Sequence, residues 1–98
     1  MTEAPYTVSN NEKEMQFEIA QDGLVAYLTY RYYKNDIAFM HTFVPKPLEG
    51  KGMASALAVA AFAFAKASGH LVMVYCPYVA AFLKRHPEYQ VQVDKQYH

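Results

Sequence analysis

Two glycines, Gly50 and Gly52, stand between an apolar run that ends at Val44 and a long alanine-rich run. Glycine lets the backbone approach a ligand closely, and the first turn of a helix leaves unpaired N–H groups and a positive dipole end. Phosphate groups bind at such helix starts. The spacing therefore predicts an anion site over Gly50–Ser55, although two glycines that only form a turn would give the same local pattern.

The loop differs from the common nucleotide-binding motifs. It lacks the four residues between glycines, followed by Gly-Lys-Ser/Thr, of a triphosphate-binding loop. It also lacks the third glycine of the dinucleotide motif, because Ser55 occupies that position. The histidines His70, His86 and His98 have no metal-ligand spacing, so no metal is predicted.

Composition limits the class of protein. The 98 residues predict a single domain spanning 1–98, and 53% hydrophobic against 18% charged residues predicts a packed core. A formal net charge of zero argues against nucleic acid as a partner. The single cysteine cannot form an intramolecular disulfide, which favours the reducing cytoplasm. The longest apolar run, residues 53–65, is shorter than the roughly 20 residues that span a bilayer, so no membrane segment is predicted.

The first half of the chain predicts three antiparallel strands after a loosely ordered start over residues 1–13, in which Ser9–Glu12 form a polar turn. Alternating apolar and polar residues indicate a strand from Met15, and residues 24–33 are rich in strand-favouring types. A third strand ends near Val44. Its alternation predicts one shared face for Ile37, Phe39, His41 and Phe43.

The second half predicts a strand–helix–strand crossover. Residues 54–67 contain no glycine or proline and indicate a helix, and residues 71–76 are typical of a buried strand parallel to the one before the helix. A short second helix over 78–85 and a last strand over 89–93 complete an α+β fold with a mixed sheet. Because the long helix is apolar on nearly every side, we expect it to be covered either by the N-terminal or C-terminal segment or by a second copy, and a homodimer is the interpretation we favour.

The run Glu49-Gly50-Lys51-Gly52-Met53-Ala54, with Val44-Pro45 before it, resembles the acyl-CoA pyrophosphate loop of GNAT-type N-acetyltransferases. Their pattern is Arg/Gln-x-x-Gly-x-Gly/Ala, in which Gly52 and Ala54 match and Glu49 replaces the usual arginine or glutamine. Residues 76–82 and 85–89 are similar to the small, single-domain GNAT-like family. The likeness extends over residues 39–89, more than half of the chain.

This resemblance implies a GNAT-like sheet that opens between the strands ending at Val44 and Cys76, with the pantetheine arm of acetyl-CoA in the gap. Backbone groups of Phe43 and Val44 would hold that arm. The pyrophosphate would be held by the loop residues Gly50, Lys51, Gly52, Met53, Ala54 and Ser55. Small relatives often carry an acidic residue at the position of Phe43.

Three side chains are candidates for catalysis under this resemblance. Cys76 would lie near the thioester, as a nucleophile if its thiol is activated or as a small hydrophobic residue. His41 is the predicted base, since its strand would lie beside that of Cys76, and a structural histidine is the alternative. Tyr78 would protonate the departing CoA thiolate, with packing as the alternative.

The sequence hypothesis is an acetyl-CoA-dependent N-acetyltransferase that acts on an unidentified amine. One alternative is a CoA-binding module without catalysis, and another is a dimeric interaction protein. The basic cluster Lys84-Arg85-His86 is interpreted as a solvated helix end, with a contact to the adenosine phosphates as the alternative.

Overall fold

The computed structural model describes residues 6–95, which form one five-stranded sheet in the order β1-β2-β3-β4-β5. The first four strands pair antiparallel, whereas β4 and β5 run parallel. The predicted α+β fold, with antiparallel strands followed by a strand–helix–strand crossover, is confirmed. The strands are β1 Ser9–Asn11, β2 Gln16–Gln21, β3 Leu24–Tyr33, β4 Asp36–Phe43 and β5 Leu71–Val74.

Two α-helices, α1 (Met53–Ser68) and α2 (Pro77–Arg85), pack on the same face of this sheet. The ring of Phe62 on α1 lies 5.2 Å from that of Phe39 on β4 and 6.1 Å from that of Phe82 on α2. Such aromatic contacts bury large apolar area and fix both helices against β4. The opposite face of the sheet carries no helix within residues 6–95, and we call it the helix-free face.

The start of the chain differs from the prediction. Ser9–Asn11, expected in a polar turn, form β1 and pair with β2. The Tyr30 hydroxyl donates to the side-chain oxygen of Asn10 at 2.8 Å, so a polar strand is held by a core tyrosine. Residues 1–5 lie outside the described part of the chain.

The predicted last strand is also wrong. Residues Pro87–Gln92 form a 3₁₀ helix, and only Val93 makes an isolated bridge to Val72 of β5. Proline has no N–H to donate to a strand ladder. The ring of Tyr89 instead packs 5.0 Å from that of Phe62, which draws this segment onto the helices.

Helix α1 buries one side and exposes small residues on the other. Gly69 ends it in a left-handed conformation, as expected for a helix C-terminus. Val59 is 39% exposed and Ala63 is exposed, so the outer face presents little apolar area. The homodimer stays a prediction. The buried residues of α1 are Met53, Ala56, Leu57, Ala58, Ala61, Phe62 and Ala65.

A carboxyl pair ties the end of the described chain to the sheet. The Asp94 N–H donates to the Val72 carbonyl at 2.9 Å, and the side chains of Asp36 and Asp94 share a hydrogen bond. This bond raises the pKa of Asp36 above its ordinary value of 3.8, and desolvation and the Asp94 charge add to the shift. A hydrogen bond between two carboxyl groups requires a proton on one of them.

The pair should make the free energy of unfolding depend on pH. Because the folded chain holds a proton that the unfolded chain has lost, the stabilisation is complete below about pH 4 and declines as the pH rises through the raised pKa of Asp36. We expect Asp36→Asn to raise the melting temperature at pH 7, since an amide donates without a proton, and to lose that advantage near pH 4. Asp94→Asn should behave alike. Lower stability of both variants at pH 7 would contradict the shared proton.

Candidate active site

The parallel strands β4 and β5 pair over only four residues and then separate. Their last pair is Phe39 with Val74, after which β4 continues to Phe43 beside β3 alone. The Phe39 carbonyl accepts both the Tyr75 and the Cys76 N–H groups, each at 3.0 Å. A gap between two neighbouring strands therefore opens beyond Phe39.

A β-bulge at Met40 decides which side chains line this gap. Tyr30 is opposite Phe39 and Thr29 is opposite His41, so Met40 is an extra residue in β4. A bulge reverses the alternation of side chains beyond it. The prediction that Phe39 and His41 share one face is therefore wrong.

His41 and Phe43 lie on the helix-free face. His41 pairs with Thr29, and Phe43 pairs with Tyr27, whose ring lies 5.4 Å from that of Phe43. Both His41 and Phe43 are exposed. A side chain at position 41 can thus meet a molecule that approaches the gap from the side without helices.

Cys76 occupies the other side of the gap. Its side chain is 2% exposed, and its sulfur lies 3.1 Å from the hydroxyl oxygen of Thr42. Thr42 pairs with Leu28, which is fully buried on the helix face, so Cys76 and His41 are on opposite faces although β4 and β5 are adjacent as predicted. The strand predicted over residues 71–76 ends at Val74, and Cys76 is the N-cap of α2. Sequence reasoning missed Thr42, whose position depends on the bulge.

The glycine loop adopts the conformation that an anion cradle needs. Gly50 and Gly52 have φ angles of 78° and 82°, in the left-handed region that favours glycine. Gly52 is the N-cap of α1 without a side-chain cap, and its carbonyl accepts the Ala56 N–H at 3.1 Å. The preceding N–H groups, of residues 53–55, lie outside the helical ladder and are available to a ligand.

A cavity of about 260 Å³ adjoins this helix start. No acidic residue occupies the first turn of α1, which keeps the positive end of the helix open to an anion. Glu49 is exposed at the rim of the cavity, and water reduces the repulsion between such a surface carboxylate and a bound anion. The cavity is lined by Val44, Leu48, Glu49, Gly50, Gly52, Met53, Ala54, Ser55 and Tyr78.

The loop is also anchored from the start of the chain. The Tyr6 hydroxyl donates to the Lys51 carbonyl at 2.5 Å, although the two residues are 45 positions apart. The Lys51 side chain is exposed. This hydrogen bond holds the Lys51 carbonyl, which lies between the two glycines.

Tyr78 connects the cavity to the second helix. Pro77 is the first residue of α2, where its missing N–H removes no helical hydrogen bond. Tyr78 follows it, half-buried, with its side chain on the cavity wall. The structure thus brings Tyr78 and the glycine loop to the same cavity.

Elsewhere, the described chain contains a further cavity but neither a metal cluster nor a membrane-spanning helix. This larger cavity of about 520 Å³, which includes Asp36, Met73 and Tyr75, lies at the turn between β3 and β4 and beside β5, and shares no lining residue with the glycine-loop cavity. Within residues 6–95, no cluster of three or more metal-binding side chains occurs. No helix in the same range is long and apolar enough to cross a membrane.

Comparison with known proteins identifies the family. The family model of GCN5-related N-acetyl-transferases matches residues 16–92. The chain is 33% identical over 86 residues to Protein NATD1 of Bos taurus, and the aligned region covers 85% of this chain and 76% of that protein. It also superposes, with a TM-score of 0.69 and 25% identity, on the solution NMR structure of a GCN5-like N-acetyltransferase candidate from Staphylococcus aureus, over 90% of this chain and 87% of that one.

The three findings agree with the geometry of the site. The family match includes the parted strands, the glycine loop and Tyr78, and the structural match extends to nearly all of the fold. The chain therefore belongs to the GCN5-related N-acetyltransferase family and is an acetyltransferase.

Proposed function

We propose that the protein transfers an acetyl group from acetyl-CoA to an amine, with the two substrates entering the gap between β4 and β5 from opposite faces. The observation that carries this proposal is the separation of the strands beyond Phe39, with the glycine loop on one side and His41 on the other. Each substrate then has its own approach to one reaction point. Such positioning supplies much of the rate enhancement of a two-substrate enzyme.

The helix side suits the donor. The free N–H groups at the start of α1 and the left-handed glycines fit a pyrophosphate, which supports acetyl-CoA as the co-substrate. Beyond Phe39, the end of β4 and the adjoining Val44 have no β5 partner, so the backbone of Phe43 and Val44 can bind the pantetheine arm in the place of a strand. The thioester would then reach the gap near Cys76.

The helix-free face suits the acceptor. His41 is exposed there, next to the point where β4 leaves β5. Histidine is the commonest general base in enzymes, and the exposed imidazole of His41 is placed to accept a proton from the attacking amine. Tyr27 and Phe43 form an aromatic surface beside it for the body of the acceptor.

The reaction then proceeds by direct attack. The amine nitrogen forms a bond to the thioester carbonyl carbon and gives its proton to His41, after which the carbon–sulfur bond breaks and the thiolate takes a proton from Tyr78. The Cys76 N–H already donates to Phe39, so we place the oxyanion donor on the β4 segment beyond the bulge. Cys76 contributes its buried packing and its contact with Thr42.

A CoA-binding module without catalysis is the second candidate. Glu49 at the cavity rim and Phe43 at the position of an acidic residue in small relatives favour it. The cytoplasmic location and the homodimer also remain proposals, the latter open to analytical sedimentation with and without CoA.

Turnover distinguishes the two functions. We expect acetyl-CoA to bind in isothermal titration and free CoA to be released above the hydrolysis background when a panel of small amines and lysine peptides is added. A binding module would titrate but release no CoA above that background. Absence of binding at high micromolar acetyl-CoA would contradict both functions.

Gly52→Ala tests the cradle. Alanine at a φ of 82° costs roughly 1–2 kcal/mol of stability and reorients the N–H groups at the helix start, so acetyl-CoA should bind severalfold more weakly. Gly23→Ala is the matched control, because Gly23 has a φ of 76° in a remote turn and, like Gly52, has no atom within 4 Å of an added Cβ. Both variants should lose similar stability in denaturant titrations. Equal acetyl-CoA affinity in the two would argue against the cradle.

His41→Gln tests the base. We expect kcat to fall by about a hundredfold or more, since general base catalysis typically contributes roughly 10²–10⁴-fold, while the affinity for acetyl-CoA stays unchanged on the other face. His70→Gln is the control, because His70 lies at the far end of the sheet, with its Nδ1 atom 2.8 Å from the Asn35 carbonyl. Unaltered turnover by His41→Gln would assign proton removal to water.

A further inference from the structure

Arg85 reaches back along α2 to Tyr78. The two residues are seven positions apart, which places them two turns apart on one side of the helix. The Nη2 atom of Arg85 donates to the Tyr78 hydroxyl oxygen at 3.3 Å, and the guanidinium carbon lies 5.8 Å from the centre of the Tyr78 ring. One cation thus contacts both the hydroxyl and the face of a tyrosine that lines the glycine-loop cavity.

The direction of this hydrogen bond is fixed by chemistry. A guanidinium group has only donors, so the Tyr78 oxygen must be the acceptor. The hydroxyl has a single proton, and that proton cannot point at Arg85. The hydroxyl proton is therefore available to another acceptor. Because Tyr78 lines the cavity, that acceptor can be a group bound there.

We propose that Arg85 is a positioning residue that prepares Tyr78 to protonate the leaving thiolate, an inference that rests on the proposed function. When the carbon–sulfur bond breaks, its electron pair goes to sulfur, and the Tyr78 proton moves to that sulfur to give the free thiol. The phenolate that remains is stabilised by the guanidinium at hydrogen-bond distance, and Arg85 keeps its own protons. Water returns a proton to Tyr78 before the next cycle.

The other members of the basic cluster have different environments. The His86 ring packs 4.6 Å from the Phe82 ring, and its Nδ1 atom lies 3.8 Å from a Glu88 oxygen. Lys84 is exposed on the same helical turn as Arg85. Lys84 therefore provides a control that removes one positive charge from the helix end without altering the Tyr78 contact.

The experiment compares Arg85→Met, Arg85→Lys, Tyr78→Phe, the double variant Arg85→Met/Tyr78→Phe, and Lys84→Met. For each, kcat at saturating amine and the acetyl-CoA dissociation constant from titration calorimetry are measured. We expect Arg85→Met and Tyr78→Phe to lower kcat by about tenfold each, with the dissociation constant within about twofold of the unmodified protein. The double variant should be no slower than either, because both changes remove one proton donor. Arg85→Lys, which retains a charged donor, should recover part of kcat, and Lys84→Met should match the unmodified protein.

Three results would overturn the inference and leave the proposed function standing, and a fourth would overturn both. A raised acetyl-CoA dissociation constant with an unchanged kcat in Arg85→Met would show that Arg85 binds the phosphates of CoA instead. Losses that multiply in the double variant would show that Arg85 and Tyr78 act separately. Equal kcat for Arg85→Met and Lys84→Met would show that Arg85 has no role in the reaction. If the unmodified protein released no CoA with any amine, the proposed function would be overturned together with the role of Tyr78.

Discussion

The limited pairing of β4 with β5 is the constraint on which the site depends. Parallel hydrogen bonds join the strands from Asp36 with Leu71 to Phe39 with Val74, and no further. Backbone groups of a strand must find partners, so the unpaired edge of β4 beyond Phe39 is a ready place for an extended ligand. The double use of the Phe39 carbonyl by Tyr75 and Cys76 fixes where the strands separate. The position of the gap is thus built into the backbone.

The bulge at Met40 gives this gap two chemically different sides. It sends Thr42 toward Cys76 and the helices, and it sends His41 and Phe43 to the helix-free face. A regular strand would have placed His41 against the buried thiol. One inserted residue therefore separates a side with the glycine loop and Tyr78 from a side with an exposed imidazole.

Much of the fold could be predicted from the sequence, because its signals are local. Alternation predicted β2, β3 and β4, and the absence of breakers between Gly52 and Gly69 predicted α1. The polar strand β1 could not be predicted, because it is held by pairing with β2 and by the tyrosine hydroxyl on Asn10. The 3₁₀ segment after α2 was missed for a similar reason, since its conformation follows from the packing of Tyr89 on distant rings.

The residues of the candidate site divide in the same way, into those with a local sequence signal and those whose position depends on the fold. The glycine loop was predicted from its spacing, and Cys76 and Tyr78 from the family resemblance; their roles stay predictions. The face of His41 depends on a bulge with no local signal. The Thr42–Cys76 and Arg85–Tyr78 contacts could not be predicted from the sequence, because they depend on side-chain conformation in the folded chain.

Amide chemical shifts followed by NMR during titration with acetyl-CoA test the central claim most directly. The largest changes should occur at Gly50–Ser55 and at Phe43–Val44. Changes confined to the cavity around Asp36 and Tyr75, with the glycine loop unaltered, would contradict the account.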